Sequence, residues 1–277
     1  MLRLATTLAI ILILLQDPLA GQPPQPRSAD YLFPTSVDDA RAVWLNPAGL
    51  AVVPEASIFG EFVLRRSTAA DLRLAQWTLG LNSQGFSVAY QRDLLPSDSS
   101  NTTYRVAIGR GMARWSVGAA LSYHNSDRKD TGLDAGFRYH LASSLAVALV
   151  VRNLGAPTVR ADTLYLTGVA AVSWGILGGA LSLDGEAVAA DRAAAAGYDM
   201  AYRTGVRLSV GKRVPVAGFA NVTLGPRLAP DVWCFGLAVG GDRRGIVVTT
   251  LEPGASTELE SLSLTGLALN RLAARRR

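Results

Sequence analysis

The sequence predicts an all-β fold: an antiparallel transmembrane β-barrel of about 14 strands with a short N-terminal plug segment. Three observations predict it. From residue 56 onward, hydrophobicity repeats every second residue. The face opposite the large apolar one is built of Gly, Ala and Ser with sparse charges, not of the charged and Thr-rich positions of a solvated sheet. Short and longer connections alternate through the whole chain.

Composition points the same way. The 277 residues are 49% hydrophobic and 18% charged, with a mean hydropathy of +0.22, which excludes a disordered chain. The net charge of +5 comes without a basic helix or a basic stripe interleaved with aromatics, so nucleic acid is not an expected partner. One cysteine, Cys234, excludes a disulfide framework and a Cys-based zinc site, and two histidines, His124 and His140, leave little for other metal chemistry. No cofactor is expected.

Residues 1–20 read as a signal peptide: Met1-Leu2-Arg3 is a positive start, Leu4 to Leu15 carries no charge, and Pro18-Leu19-Ala20 ends in a small residue. The apolar run is shorter than the ~20 residues that span a bilayer as a helix. Residues 21–55 read as a periplasmic leader and plug. Gln22-Pro23-Pro24-Gln25-Pro26 is an extended stretch. Ser36 to Leu50 is expected to hold a short helix, with Ser36 as N-cap, Asp38 and Asp39 in the first turn, and Pro47 and Gly49 as the stop. Val37, Val43, Trp44, Leu45 and Leu50 are too apolar to stay solvated. Val37 to Leu50 is therefore expected to fold back into the periplasmic mouth of the barrel, where Asp38, Asp39 and Arg41 meet lumen charges of opposite sign.

Residues 56–270 carry the barrel. Strands are expected near 56–64, 70–81, 84–92, 102–110, 113–124, 132–140, 143–152, 162–174, 177–189, 199–210, 216–224, 231–240, 244–250 and 260–269. Leu133, Ala135, Phe137 and Tyr139 alternate with Asp134, Gly136 and Arg138, and Tyr202, Thr204, Val206 and Leu208 with Arg203, Gly205 and Arg207. An even count suits bacterial outer-membrane barrels, as do short periplasmic turns and longer external loops, here 93–101, 125–131 and 190–198 among others. Thr163 to Leu183 carries no charge and is long enough for a spanning helix. Its Trp174-Gly175 and Gly178-Gly179 pairs and its Tyr165, Val169 and Val172 favour a hairpin instead. Residues 271–277 form a basic tail.

If the large apolar residues face lipid, the charges on the other phase point inward: Glu61, Asp71, Arg73, Arg105, Asp134, Arg138, Arg152, Asp184, Glu186, Arg203 and Arg207. Both signs are present, and buried charges must be paired or hydrated. Two uses fit them: a salt-bridge network that stiffens a narrow lumen, or a polar conduit for a ligand. Trp77, Tyr90, Tyr104, Trp115, Tyr123, Tyr139, Trp174, Tyr202 and Trp233 are candidates for interfacial girdles. Catalysis has little support. Ser126-Asp127-Arg128-Lys129 matches S-x-x-K, but the companion elements of that chemistry are missing and the stretch is a polar connection. The chain is not expected to be an enzyme.

Asp38 to Ala51, with the string Asn46-Pro47-Ala48-Gly49-Leu50 just before the first strand, resembles the N-terminal segment of the FadL and PorV outer-membrane barrel superfamily. Val151-Arg152-Asn153-Leu154-Gly155 resembles the PorV side of that group. The resemblance implies a fourteen-stranded barrel in the bacterial outer membrane, its lumen plugged by the N-terminal segment. It also implies transport of hydrophobic small molecules or a part in protein secretion, with membrane lipid and either a hydrophobic ligand or a secretion partner as its contacts. The chain departs from the group in its shortness and in ending on Arg275-Arg276-Arg277. Two other readings fit the residues: a membrane platform for a separately encoded periplasmic partner such as a signal-peptide peptidase, and a soluble secreted β protein.

Overall fold

The computed structural model describes residues 25–53, 55–66, 72–94, 100–126, 128–159, 162–191, 198–211, 214–225, 227–240, 245–253 and 261–271. The signal peptide expected at 1–20, Asp71 and the tail beyond 271 lie outside the described residues.

Fourteen strands close into one antiparallel barrel. In chain order the strands are β1 (Glu55–Arg66), β2 (Leu72–Ser83), β3 (Phe86–Leu94), β4 (Ser100–Met112), β5 (Trp115–Asn125), β6 (Lys129–Ala142), β7 (Leu145–Leu154), β8 (Thr158–Val159), β9 (Asp162–Thr163), β10 (Thr167–Ile176), β11 (Leu181–Asp191), β12 (Tyr198–Val210), β13 (Val216–Leu224), β14 (Pro230–Val239), β15 (Gly245–Pro253) and β16 (Ser261–Arg271). All but β8 and β9 belong to the barrel. Each pairs with its sequence neighbour, β7 pairs with β10, and β1 pairs with β16 to close the ring. Closure leaves no open strand edge, which is the condition for a sheet to sit in lipid.

Every expected strand has a counterpart, and the largest displacement is physical. The strand read from 162 begins at Thr167, because Asp162–Thr163 pairs instead with Thr158–Val159 as a small hairpin within the connection. The uncharged Thr163–Leu183 stretch is not a helix: β10 and β11 turn back on each other through a 3-10 turn at Leu177–Gly179. No helix among the described residues is long and apolar enough to cross a membrane.

The two phases of the strands separate as inside and outside. Leu133, Phe137, Val206 and Leu208 are exposed, while Asp134, Arg138 and Arg203 are buried. A monomer with this much exposed Leu, Ile, Val and Phe is insoluble in water and suited to lipid. The outer aromatics fall into two bands. Trp115, Tyr139 and Trp174 lie toward one end. Trp77, Tyr90, Tyr104 and Tyr123 form a ladder across β2 to β5 nearer the other, with ring centroids 4.7, 5.2 and 6.2 Å apart. The first of these ends carries the short turns Gln84–Gly85, Ala113–Arg114, Ser143–Ser144 and Leu177–Gly179, and it is called the turn end. The opposite end, where β1 finishes and β2 starts, is the loop end.

Candidate functional site

The inside of the barrel is filled by the chain's own residues 25–53. The segment enters at the loop end, where the Gln25 carbonyl accepts from Gln76 and its side-chain oxygen accepts from Arg152. It then descends to the first residue of β1 at the turn end. Nearly all of it is buried, from Arg27 at 4% exposure to Leu50 at 0%. The sequence places a plug only in one mouth, whereas the structure threads the segment along the lumen. Wall side chains from several strands bond its backbone carbonyls. Arg203 donates to Ala29 and to Leu32 (2.6 Å), Asn221 to Asp30 (3.0 Å), Arg138 to Val37 (3.1 Å) and Arg152 to Leu45 (3.0 Å). Leu32 and Val37 lie in irregular chain, and Ala29, Asp30 and Leu45 lie in helical turns too short to supply an amide donor for them, so donors from the wall satisfy these carbonyls.

Secondary structure within the segment is sparse. Helical turns cover Ser28–Tyr31 and Ala42–Leu45, and a 3-10 turn covers Pro47–Ala51. The helix expected from Ser36 is not formed. The Ser36 hydroxyl closes a turn on Phe33 instead, and residues 37–41 run without helix. Asp39 and Arg41 pair with each other (2.6 Å), and Arg41 also donates to the Tyr31 hydroxyl (3.0 Å). Tyr31 stacks on Phe219 at 5.2 Å. Its hydroxyl donates in turn to Thr265.

At the turn end the fit is one of shape. The Asn46 side chain accepts from the Ala48 amide (3.1 Å) and donates to the Pro34 and Phe137 carbonyls (2.9 and 3.4 Å). It thus starts the 3-10 turn as an N-cap does and fastens it to β6. Asn46 to Ala48 and Ala51 lie against Gly109 of β4, Gly118 of β5 and Gly136 of β6. A Cβ on Gly109 would stand 2.8 Å from the Pro47 carbonyl, and one on Gly118 2.6 Å from the Ala48 amide nitrogen. Only glycine lets the two backbones approach this closely. Gly49 meets the Val37 carbonyl in the same way.

Beyond these glycine contacts the lumen is charged, from the middle of the strands toward both ends. Arg105 of β4 is paired with Asp134 of β6, and its guanidinium lies 5.1 Å from the Trp44 ring centroid. Arg203 of β12 is paired with Glu186 of β11 (3.0 Å) and lies 4.2 Å from the Phe33 ring. Glu61 is fully buried and accepts from Thr265 (2.9 Å). Asp184 accepts from Ser173 and Ser182, and Ser173 is bonded in turn to Thr35 of the segment. Arg207 is partly buried. Arg73 does not join them: it is exposed near the loop end, beyond the bulge in the β1–β2 pairing.

Neutral polar side chains add a second set that charge alone does not single out. Gln76, Gln91 and Asn101 all donate to the Asp93 carboxylate, at 2.9, 3.0 and 3.1 Å. Their signal was phase: each sits on the inward positions of its strand. Asn153, at a φ of 59°, turns the chain out of β7. Its amide donates to Asp134 and its side chain to the Tyr165 carbonyl (2.9 and 3.1 Å). Val159 and Leu164 in the connection that follows are buried. Among the described residues, no group of three His, Cys, Asp or Glu is placed to hold a metal ion. Ser126 sits in the β5–β6 connection, hydrogen-bonded to the Arg128 carbonyl.

No protein-family model matches the chain. No curated protein matches it in sequence. Solved structures match in fold. A Pseudomonas aeruginosa FadL homologue superposes with a TM-score of 0.54 at 7% identity, over 90% of this chain and 98% of that one. The Pseudomonas putida toluene transporter TodX gives 0.52 at 10% identity, over 87% and 95%. The deltaS2S3 mutant of the TodX monoaromatic hydrocarbon channel gives 0.50 at 8%, over 89% and 97%. The chain has the fold of a FadL-like outer-membrane barrel.

Proposed function

From that fold we propose that the chain is a non-enzymatic transport barrel of the bacterial outer membrane, with its turn end toward the periplasm and residues 25–53 as the stopper of its pathway. One observation carries the reading. The stopper is tied to the wall by separate hydrogen bonds from Arg138, Arg152, Arg203 and Asn221 to its carbonyls, not by a continuous hydrogen-bonded sheet. Each such bond contributes about 1–3 kcal/mol, so the contacts can be released in part. A transport role is placed ahead of a role in secretion or as a membrane platform because the polar groups converge on the interior, where a small molecule would pass.

The test is a deletion of residues 36–50 in the full chain, reconstituted in liposomes. Transport predicts faster entry of small solutes through a barrel that still shows heat-modifiable gel mobility. A barrel that assembles with unchanged permeability and only a lower thermal stability would show residues 36–50 to be a structural filler and sink the proposal.

A further inference from the structure

We propose that the loop-end half of the lumen binds a small, singly charged oxyanion, of carboxylate or phosphate type, on Arg152 beside Arg105 and Trp44. The proposal deepens the transport reading by naming the ligand class, but the site itself is argued from charge and hydrogen bonding.

The charge count comes first. Arg152 lies within electrostatic reach of Asp134, Glu186, Arg105 and Arg203. Two ion pairs form among these five: Arg105 with Asp134 and Arg203 with Glu186. Asp134 is further engaged by the Asn153 amide. Arg152 is therefore the cation left over, and among the described residues it has no carboxylate partner. Its two described hydrogen bonds go to neutral acceptors, the Leu45 carbonyl and the Gln25 side-chain oxygen. A cluster of three arginines and two carboxylates carries one positive charge in excess, and one monoanion balances it.

Unused donors supply the second argument. The Nε of Arg152, the Nε of Arg105 and the indole Nε1 of Trp44 are buried and have no hydrogen-bond partner among the described residues. Trp44 is only 3% exposed, and a buried N–H is seldom left without an acceptor. Arg152 bonds the carbonyl of Leu45, next to Trp44 in the chain, while Arg105 packs on the Trp44 ring. The three donors are thus brought to one stretch of the stopper. Donors without acceptors beside a surplus cation call for an anion, and the planar guanidinium fork matches an oxyanion's geometry.

The surroundings limit its size and polarity. Toward the loop end the wall offers the Thr103–His124 pair (3.1 Å) and the amides gathered on Asp93. These are polar groups, suited to a compact hydrophilic anion and not to a neutral hydrocarbon. The Val151–Gly155 string thereby acquires a role. Arg152 supplies the charge, and Asn153 holds the carboxylate that would otherwise neutralise it.

The experiment uses the full chain folded in detergent micelles, with folding checked by heat-modifiable mobility. Sodium acetate and inorganic phosphate are titrated separately against sodium chloride at matched ionic strength, and binding is read by calorimetry and by the rise in Tm. At least one oxyanion is expected to bind saturably with one site per chain while chloride does not; which one does so assigns the ligand to the carboxylate or the phosphate type. Arg152→Gln is expected to remove the saturable response, and Trp44→Phe to weaken it about fivefold to tenfold through the loss of one N–H donor. No saturable response to either oxyanion overturns the proposal, as does a response shared by chloride or one that Arg152→Gln leaves intact. If Arg152→Gln does not fold, Trp44→Phe decides, and an unchanged affinity in it overturns the site. Because binding is read without permeation, a barrel that binds but does not conduct rejects transport and keeps the site.

Discussion

The two halves of the lumen hold the same segment by different physics. At the turn end, Pro47, Ala48 and Ala51 meet the wall backbone to backbone through Gly109 and Gly118, and Gly136 makes room for the Asn46 side chain and the Pro47 ring. At the loop end, the contacts are long guanidinium groups reaching to single carbonyls, with charges paired around them. The first arrangement has one solution: a close-packed surface tolerates its partner in one position. The second is adjustable, because an arginine side chain can exchange one acceptor for another. A segment held this way is anchored at the turn end and adaptable toward the loop end.

Removing a charge from the adaptable half is expected to have the largest effect on stability. Arg203 is paired with Glu186, with side-chain exposures of 8% and 11%, and it also bonds Ala29 and Leu32. Arg203→Met leaves a largely buried carboxylate without its partner and two carbonyls without donors. A loss of about 3–5 kcal/mol is expected, read as a lower denaturant midpoint for refolding into micelles. The double variant Arg203→Met/Glu186→Met should recover much of it. If the single variant is as stable as the parent, the loop-end charges are not what holds the segment.

The sequence makes the wall far more legible than what fills it. Strand phase was readable because the two faces differ in kind: Leu133 and Phe137 against Asp134 and Arg138, Val206 and Leu208 against Arg203 and Arg207. The β10–β11 hairpin was readable from Gly178-Gly179 despite its lack of charge. The inward phase of the charges could be read, but their partners could not. Arg138, Arg152 and Arg203 bond main-chain carbonyls, and a carbonyl leaves no residue-type signature in a sequence. The upper reach of the segment was hidden for a related reason. Residues 25–35 form only one helical turn, and their burial comes from the wall. The apolar run Tyr31-Leu32-Phe33 was the one available signal. The glycines of β4 to β6 read as ordinary small inward residues, since what they approach is another stretch of backbone.

A second contrast sets the outer face of a strand against its inner face. Val206 is exposed on the lipid side of β12 and Arg207 is its partly buried neighbour on the lumen side. Val206→Arg should cost about 2–4 kcal/mol, the penalty for a cation on the lipid face near the bilayer midplane. Arg207→Gln keeps a polar side chain in a polar lumen and should cost clearly less. Folding yield into liposomes measures both, and equal tolerance at the two sites would remove the distinction between the faces.

The close-packed half is tested by the smallest change, one methyl group. In Gly118→Ala the added carbon would stand 2.6 Å from the Ala48 amide nitrogen and closer still to the Pro47 carbonyl. Both neighbours are backbone, so neither can rotate away. Either β5 or the 3-10 turn must shift, and overpacking of this kind costs about 1–3 kcal/mol. The barrel wall is held by ladders to β4 and β6 on both sides of β5, whereas the turn is held by the Asn46 cap and by contact. The turn should therefore be the part that moves. The Asn46 bonds to Pro34 and Phe137 would then loosen, and protease should cut near Pro47 in a barrel that remains folded by gel mobility. Gly218→Ala supplies the control, because a Cβ there has nothing within 4 Å. A Gly118→Ala protein as protease-resistant as Gly218→Ala would show that the turn end is loosely filled, and the contrast between the two halves would fail.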